Sequence, residues 1–132
     1  MDIRSQLFSS ASNAMHNAYA PYSKFKVGAA IYSNKQQIYS GCNVENISFP
    51  CGTCAEAGAI SSMIANGETN IIEMLITADS QDLITPCGAC LQRIAEFSTT
   101  NTLIHLANTD GIQKTLSIQE LLPHNFTAKE LK

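Results

Sequence analysis

Apolar positions recur along this chain with two different periods, and the switches between them lay out an order of elements. Over residues 5–19, Leu7, Phe8, Ala11, Met15 and Ala18 fall at helical spacing, which predicts an amphipathic helix. Ala20-Pro21-Tyr22-Ser23 stops it. Over 25–32 the period changes: Val27, Ala29 and Ile31 alternate as on a strand. Ser33-Asn34-Lys35-Gln36 reads as a turn and 37–42 as a second strand, giving a hairpin. Residues 43–53 are polar and without period, hence loop.

Helical spacing returns over 54–66 with Ala55, Ala59, Ile60, Met63 and Ile64, and Gly67 ends it. This face is almost wholly apolar, so the helix is expected against a sheet. Residues 71–78 form a near-continuous apolar run, as in a strand covered on both faces. A helix over 88–97, an inner strand over 102–107, a turn at Asn108-Thr109-Asp110-Gly111 and a short strand over 113–116 follow. Ser117-Ile118-Gln119-Glu120 carries the signature of an N-capped helix, closed by Pro123. Strands alternating with helices around apolar inner strands predict an α/β chain, its sheet carrying helices on both faces.

Length and composition narrow the function classes. A chain of 132 residues is expected to form one domain, 1–132, with a real core. Its net charge of −3 gives no basic footprint, so nucleic acid is not an expected partner. Met1-Asp2-Ile3-Arg4-Ser5-Gln6 opens a helical pattern without the apolar core of a signal peptide. No window reaches the apolar length of a membrane span, so no membrane partner is expected either. Five cysteines, an odd number, argue against a disulfide framework and for reduced thiols in the cytoplasm.

Four of those cysteines form two C-x-x-C pairs, Cys51-Gly52-Thr53-Cys54 and Cys87-Gly88-Ala89-Cys90, each leading into a predicted helix. Thiolate is the preferred soft ligand of zinc, and cysteines three apart at a turn can reach one ion together. Spacing alone leaves two zinc readings about even: a closed site of four cysteines that includes Cys51, or an open site of three. Glu56 favours the open one. A first-turn acid suits the helix dipole, but that does not explain a carboxylate two residues past a candidate ligand.

Cys54-Ala55-Glu56 followed by Pro86-Cys87-Gly88-Ala89-Cys90-Leu91-Gln92 resembles the zinc signature of the cytidine deaminase family, in its small homotetrameric three-cysteine branch. Three further segments resemble that family in the same order: Tyr22 to Ala30, Gly41 to Asn46, and Glu120 to Phe126. The resemblance implies a three-layer α/β/α sandwich with a central mixed sheet. It implies one zinc per chain on Cys54, Cys87 and Cys90, with the fourth position left for a water of lowered pKa. Glu56 would shuttle protons between that water, the cytosine ring nitrogen and the departing ammonia. Asn43 and Glu45 would hold the ribose hydroxyls, Phe25 and the main chain of Ala55 would meet the base, and Phe126 would close a neighbouring subunit's pocket. Cys42 and Cys51 match no ligand position and are expected to pack as small apolar side chains. His16, His105 and His124 match nothing catalytic.

Two departures from the family pattern stand out. Ala57 occupies the position after the glutamate, and Leu91 the position after the last cysteine, where the family carries Arg. Arg93 is the nearest basic residue that could compensate. Phe49 stands where the family usually has Tyr. The resulting expectation is a zinc aminohydrolase converting cytidine or deoxycytidine to uridine or deoxyuridine plus ammonia in cytoplasmic pyrimidine salvage, as a homotetramer with sites at subunit interfaces. The alternatives are a deaminase of modified or antibiotic cytosine nucleosides, resembling blasticidin-S deaminase, and a non-catalytic zinc-stabilised binding module.

Overall fold

The computed structural model describes residues 2–131, so Met1 and Lys132, the ends of the expected domain, lie outside the described residues. The elements run α1 (Ile3–His16), β1 (Val27–Ser33), β2 (Ile38–Cys42), α2 (Ala55–Ala65), β3 (Ile71–Ala78), α3 (Gly88–Glu96), β4 (Leu103–Asn108), β5 (Gly111–Leu116) and α4 (Ile118–Leu121). One sheet has the order β2-β1-β3-β4-β5. It is mixed: β3 and β4 run parallel, and every other neighbouring pair is antiparallel.

Period-2 alternation sends successive side chains to opposite faces and so builds two cores. Ala29 and Ile31 of β1, Met74 and Ile76 of β3, and Ile104 and Leu106 of β4 pack with Ala59, Met63, Leu91 and Ile94 of α2 and α3. On the other face, Ala30, Leu75 and Ala107 pack against Leu7 and Ala11 of α1. Three layers result, as expected. The α1 face also buries His105, whose ring nitrogens meet Glu73 Oε1 at 2.6 Å and Thr115 Oγ1 at 2.8 Å. Its role is core packing with satisfied nitrogens.

Two glycines set how closely the layers approach. A Cβ on Gly28 would lie 2.0 Å from the carbonyl oxygen of Ala11, and one on Gly41 2.4 Å from the amide nitrogen of Ala59. Gly41 thus lets β2 lie directly against the start of α2.

Several local expectations are corrected. The first strand begins at Val27, not at Phe25, because the Asn43 side chain takes the main-chain groups at its start. Asn43 Oδ1 accepts from Val27 N–H at 2.8 Å, and its Nδ2 donates to the Phe25 carbonyl at 2.8 Å. Ile64 faces outward and is exposed, and Ile72 is exposed at the end of β3, so neither apolar run is buried throughout. The 43–53 loop holds a 3₁₀ turn at Phe49–Cys51, which turns Cys51 to solvent rather than into a core. The capped helix after Ser117 forms with both reciprocal bonds of a capping box.

Candidate active site

Helix starts bring together three of the four paired cysteines, Cys54, Cys87 and Cys90. Cys54 is the N-cap of α2 and Cys87 the N-cap of α3, both extended in backbone, and Cys90 lies in the first turn of α3. Helix N-termini carry roughly half a positive charge each, which favours thiolate there. The sulfurs of Cys54, Cys87 and Cys90 all lie within 4.8 Å of one another. Two sulfurs bound to a tetrahedral zinc at about 2.3 Å each stand about 3.8 Å apart, so small side-chain adjustments suffice. The donor set therefore fits zinc. Cys51 is not in the cluster; its thiol faces Ser48 Oγ at 3.6 Å. This disfavours the four-cysteine site.

The three thiols differ in environment. Burial pushes the Cys90 thiol far above its ordinary range, and burial likewise raises Cys54. Cys87 is lowered, chiefly because the Cys90 backbone N–H donates to it. Metal binding must therefore displace protons from Cys54 and Cys90.

Glu56 sits in the first turn of α2 and is only 5% exposed. Burial raises its carboxyl above the ordinary glutamate value, while the charge of Arg93 pulls the other way. A buried carboxyl with a raised pKa, beside a candidate metal, is suited to carry a proton in either direction. Arg93, one turn beyond Cys90 on α3, donates through Nη1 to Cys90 Sγ at 3.5 Å.

A cleft of about 420 Å³ opens over this cluster, and Phe25, Asn43, Glu45, Ala55 and Glu56 line it together with the three cysteines. Sequence reasoning pointed to each of these. Glu45 accepts from the backbone N–H groups of Tyr22 and Ser23 at 3.0 and 3.1 Å, and from the Ser23 hydroxyl. The Ser23 hydroxyl, ahead of the backbone bonds, holds the Glu45 carboxyl below its ordinary value. Ser23 lines the same cleft and was missed, because a hydroxyl in a helix-stopping loop gives no sign of a partner 22 residues away. Ile84, Thr85 and Pro86 complete the wall from the loop before α3. Phe126 is not brought into this cleft. It is 58% exposed, and its carbonyl accepts from Gln92 Nε2 at 2.8 Å. Phe49 is exposed at the rim, its ring edge-on to Tyr22 at 6.2 Å.

Comparison with known proteins agrees with this geometry. A family model described as "Cytidine and deoxycytidylate deaminase zinc-binding region" matches residues 1–106. Among curated proteins, a cytidine deaminase of Halalkalibacterium halodurans is 35% identical over 128 residues, covering 97% of both chains. One of Sporosarcina psychrophila is 36% identical over 131 residues, covering 99% of this chain and 96% of its own. Among solved structures, a cytidine deaminase from Burkholderia pseudomallei superposes with a TM-score of 0.88 at 37% identity, covering 96% of this chain and 100% of that one.

Proposed function

The chain belongs to the cytidine and deoxycytidylate deaminase family, and on that premise we propose that it hydrolyses cytidine or deoxycytidine to uridine or deoxyuridine and ammonia. The observation that carries the reading is a buried Glu56 beside three clustered sulfurs, at the floor of a cleft with nucleoside-sized room. A zinc-binding scaffold without turnover has no use for a carboxyl kept dry at that cost.

Cys54, Cys87 and Cys90 would hold the zinc. Bound there, zinc supplies the Lewis acidity that makes a water nucleophilic near neutral pH. Glu56 would take a proton from the attacking water and deliver protons to the ring nitrogen and to the departing amine. A carbon–oxygen bond forms at the amino-bearing ring carbon as its carbon–nitrogen bond breaks, with no net redox change. Phe25 offers an apolar face to the pyrimidine, and the main chain of Ala55 meets its edge. Glu45, already ionised and fixed by Ser23, keeps acceptor capacity for ribose hydroxyls, and Asn43 keeps its second amide hydrogen.

Residues 1–132 act as one domain, and we assign the working form to a homotetramer. The support is a set of exposed apolar side chains, Val44 and Phe49 lining the cleft and Tyr22 and Ile47 near them in sequence, together with an outward Phe126 available to a neighbouring pocket. Five free cysteines support a reducing compartment, the cytoplasm.

Ammonia release from zinc-quantified protein, across a panel of cytosine nucleosides, tests this. Turnover of cytidine or deoxycytidine with one zinc per chain is expected. Zinc without turnover of either, but with turnover of a modified cytosine nucleoside, would transfer the activity to that substrate. Failure across the panel would overturn the enzymatic reading.

A further inference from the structure

Three thiolates on a zinc dication leave one net negative charge, and Glu56 and Glu45 add theirs to the same cleft. Among the described residues, none that lines that cleft is basic. Two helix N-termini offset part of this charge, roughly half a unit each. What remains lies beside the buried Cys90 and Glu56, where it weakens the hold on the metal and its electrophilic strength.

One full cation approaches the cluster. Cys90 and Arg93 are three apart on α3, which puts them on the same helix face. Arg93 Nη1 reaches Cys90 Sγ at 3.5 Å. Among the described residues Arg93 makes no ion pair with a carboxylate and has no other hydrogen-bond partner. Arg93 is an exposed residue, and its long side chain reaches back to the buried sulfur. An arginine placed only for solubility has no reason to turn its fork toward a thiol.

We propose that Arg93 is the positioning residue of this metal centre: its guanidinium holds Cys90 in the ligating orientation and supplies the charge that three thiolates lack. This rests on the assignment of zinc to Cys54, Cys87 and Cys90. The compensating cation reaches the cluster from one turn along the helix that carries two of the ligands. It therefore moves with them, and it leaves the first turn of α2 free for Glu56 and the small Ala57. Partners that orient a metal ligand in this way typically contribute roughly 10- to 100-fold to metal affinity.

The test uses the zinc-loaded full chain, with Arg93→Gln and Arg93→Lys compared to wild type. Zinc transfer to a chromogenic chelator is followed at fixed pH over a range of salt. The Gln variant should lose zinc roughly 10- to 100-fold more readily. The Lys variant should fall between, since it keeps the charge but not the fork. The deficit should shrink in high salt, which screens an exposed cation. Melting of the metal-free proteins should be nearly unchanged, so that only the gain on adding zinc narrows, and kcat should fall more than KM. Zinc retention by Arg93→Gln equal to wild type would overturn the proposal, as would equal destabilisation of the metal-free and zinc-loaded forms. Zinc that survives Cys54→Ser and Cys87→Ser unchanged would instead overturn the underlying site, and the proposal with it.

Discussion

Gly41 on β2 lies against Ala59 on α2 so closely that a Cβ at position 41 would stand 2.4 Å from the Ala59 amide nitrogen and 2.7 Å from the Ala55 carbonyl. Both are backbone atoms and cannot rotate away. The contact therefore fixes where α2 begins, and with it Cys54 and Glu56. Gly41→Ala should cost about 1–3 kcal/mol or more, as overpacking does, and should also loosen zinc. Thermal melting with metal analysis checks this. Gly88→Ala, where nothing lies within 4 Å, should be neutral or mildly stabilising. Equal behaviour of the two variants would contradict the packing argument.

Glu56→Gln preserves shape and removes the proton carrier. Turnover should fall by roughly 10²- to 10⁴-fold while zinc stays at one per chain. Unchanged turnover would defeat the proposed mechanism, and lost zinc would recast Glu56 as part of the metal's support.

Cys51→Ser should leave both zinc content and turnover as they are, since the Cys51 thiol faces Ser48 and solvent. Loss of the metal would revive the four-cysteine site.

Acid and base should act on metal binding and on folding in different ways. The Cys54 and Cys90 thiols are held above their ordinary 9.0, so both are protonated at neutral pH without metal. Zinc uptake should release at least those two protons, and affinity should rise with pH. Calorimetry in buffers of different ionisation enthalpy counts them. Glu56 adds a folding term. Its folded pKa lies above 4.5, so the native state binds its proton more tightly than the unfolded chain does. That stabilisation is present in full below 4.5 and is lost as pH rises through the raised folded value. Metal-free wild type should therefore lose melting temperature relative to Glu56→Gln across that window. Parallel curves would show that burial of Glu56 has no such cost.

Glu45→Ala removes the acceptor that ties Tyr22 and Ser23 to the cleft wall. Each charge-assisted bond is worth about 1.5–3 kcal/mol, so KM for ribonucleosides should rise about tenfold or more, with kcat less affected and zinc unchanged. An unaltered KM would remove Glu45 from the sugar site.

Much of this protein is determined by short-range pattern. Apolar spacing, with turn residues and the Ser117 capping signature at the C-terminal end, placed nine elements in their observed order, because burial of one face forces that spacing wherever a helix or strand forms. A zinc site was legible too, since two C-x-x-C pairs leading into helices leave few other uses for their sulfurs; spacing left three and four ligands about even, and the resemblance singled out Cys54, Cys87 and Cys90. Fine boundaries were less so. Nothing local in Phe25 or Val27 announces that Asn43, 18 and 16 residues on, takes their main-chain groups and delays the strand. Ser23 and Glu45 likewise meet only because β1 and β2 pair. Cys51 belongs to a C-x-x-C pair yet stands outside the cluster, because the Pro50 turn aims it at solvent. The direction of the Arg93 side chain was decided by the packing of α3 on the sheet. Sequence supplied the residue types that the chemistry requires; long-range packing chose which of them share one cleft, because contacts between distant segments follow from the register and crossing of layers that no local period encodes.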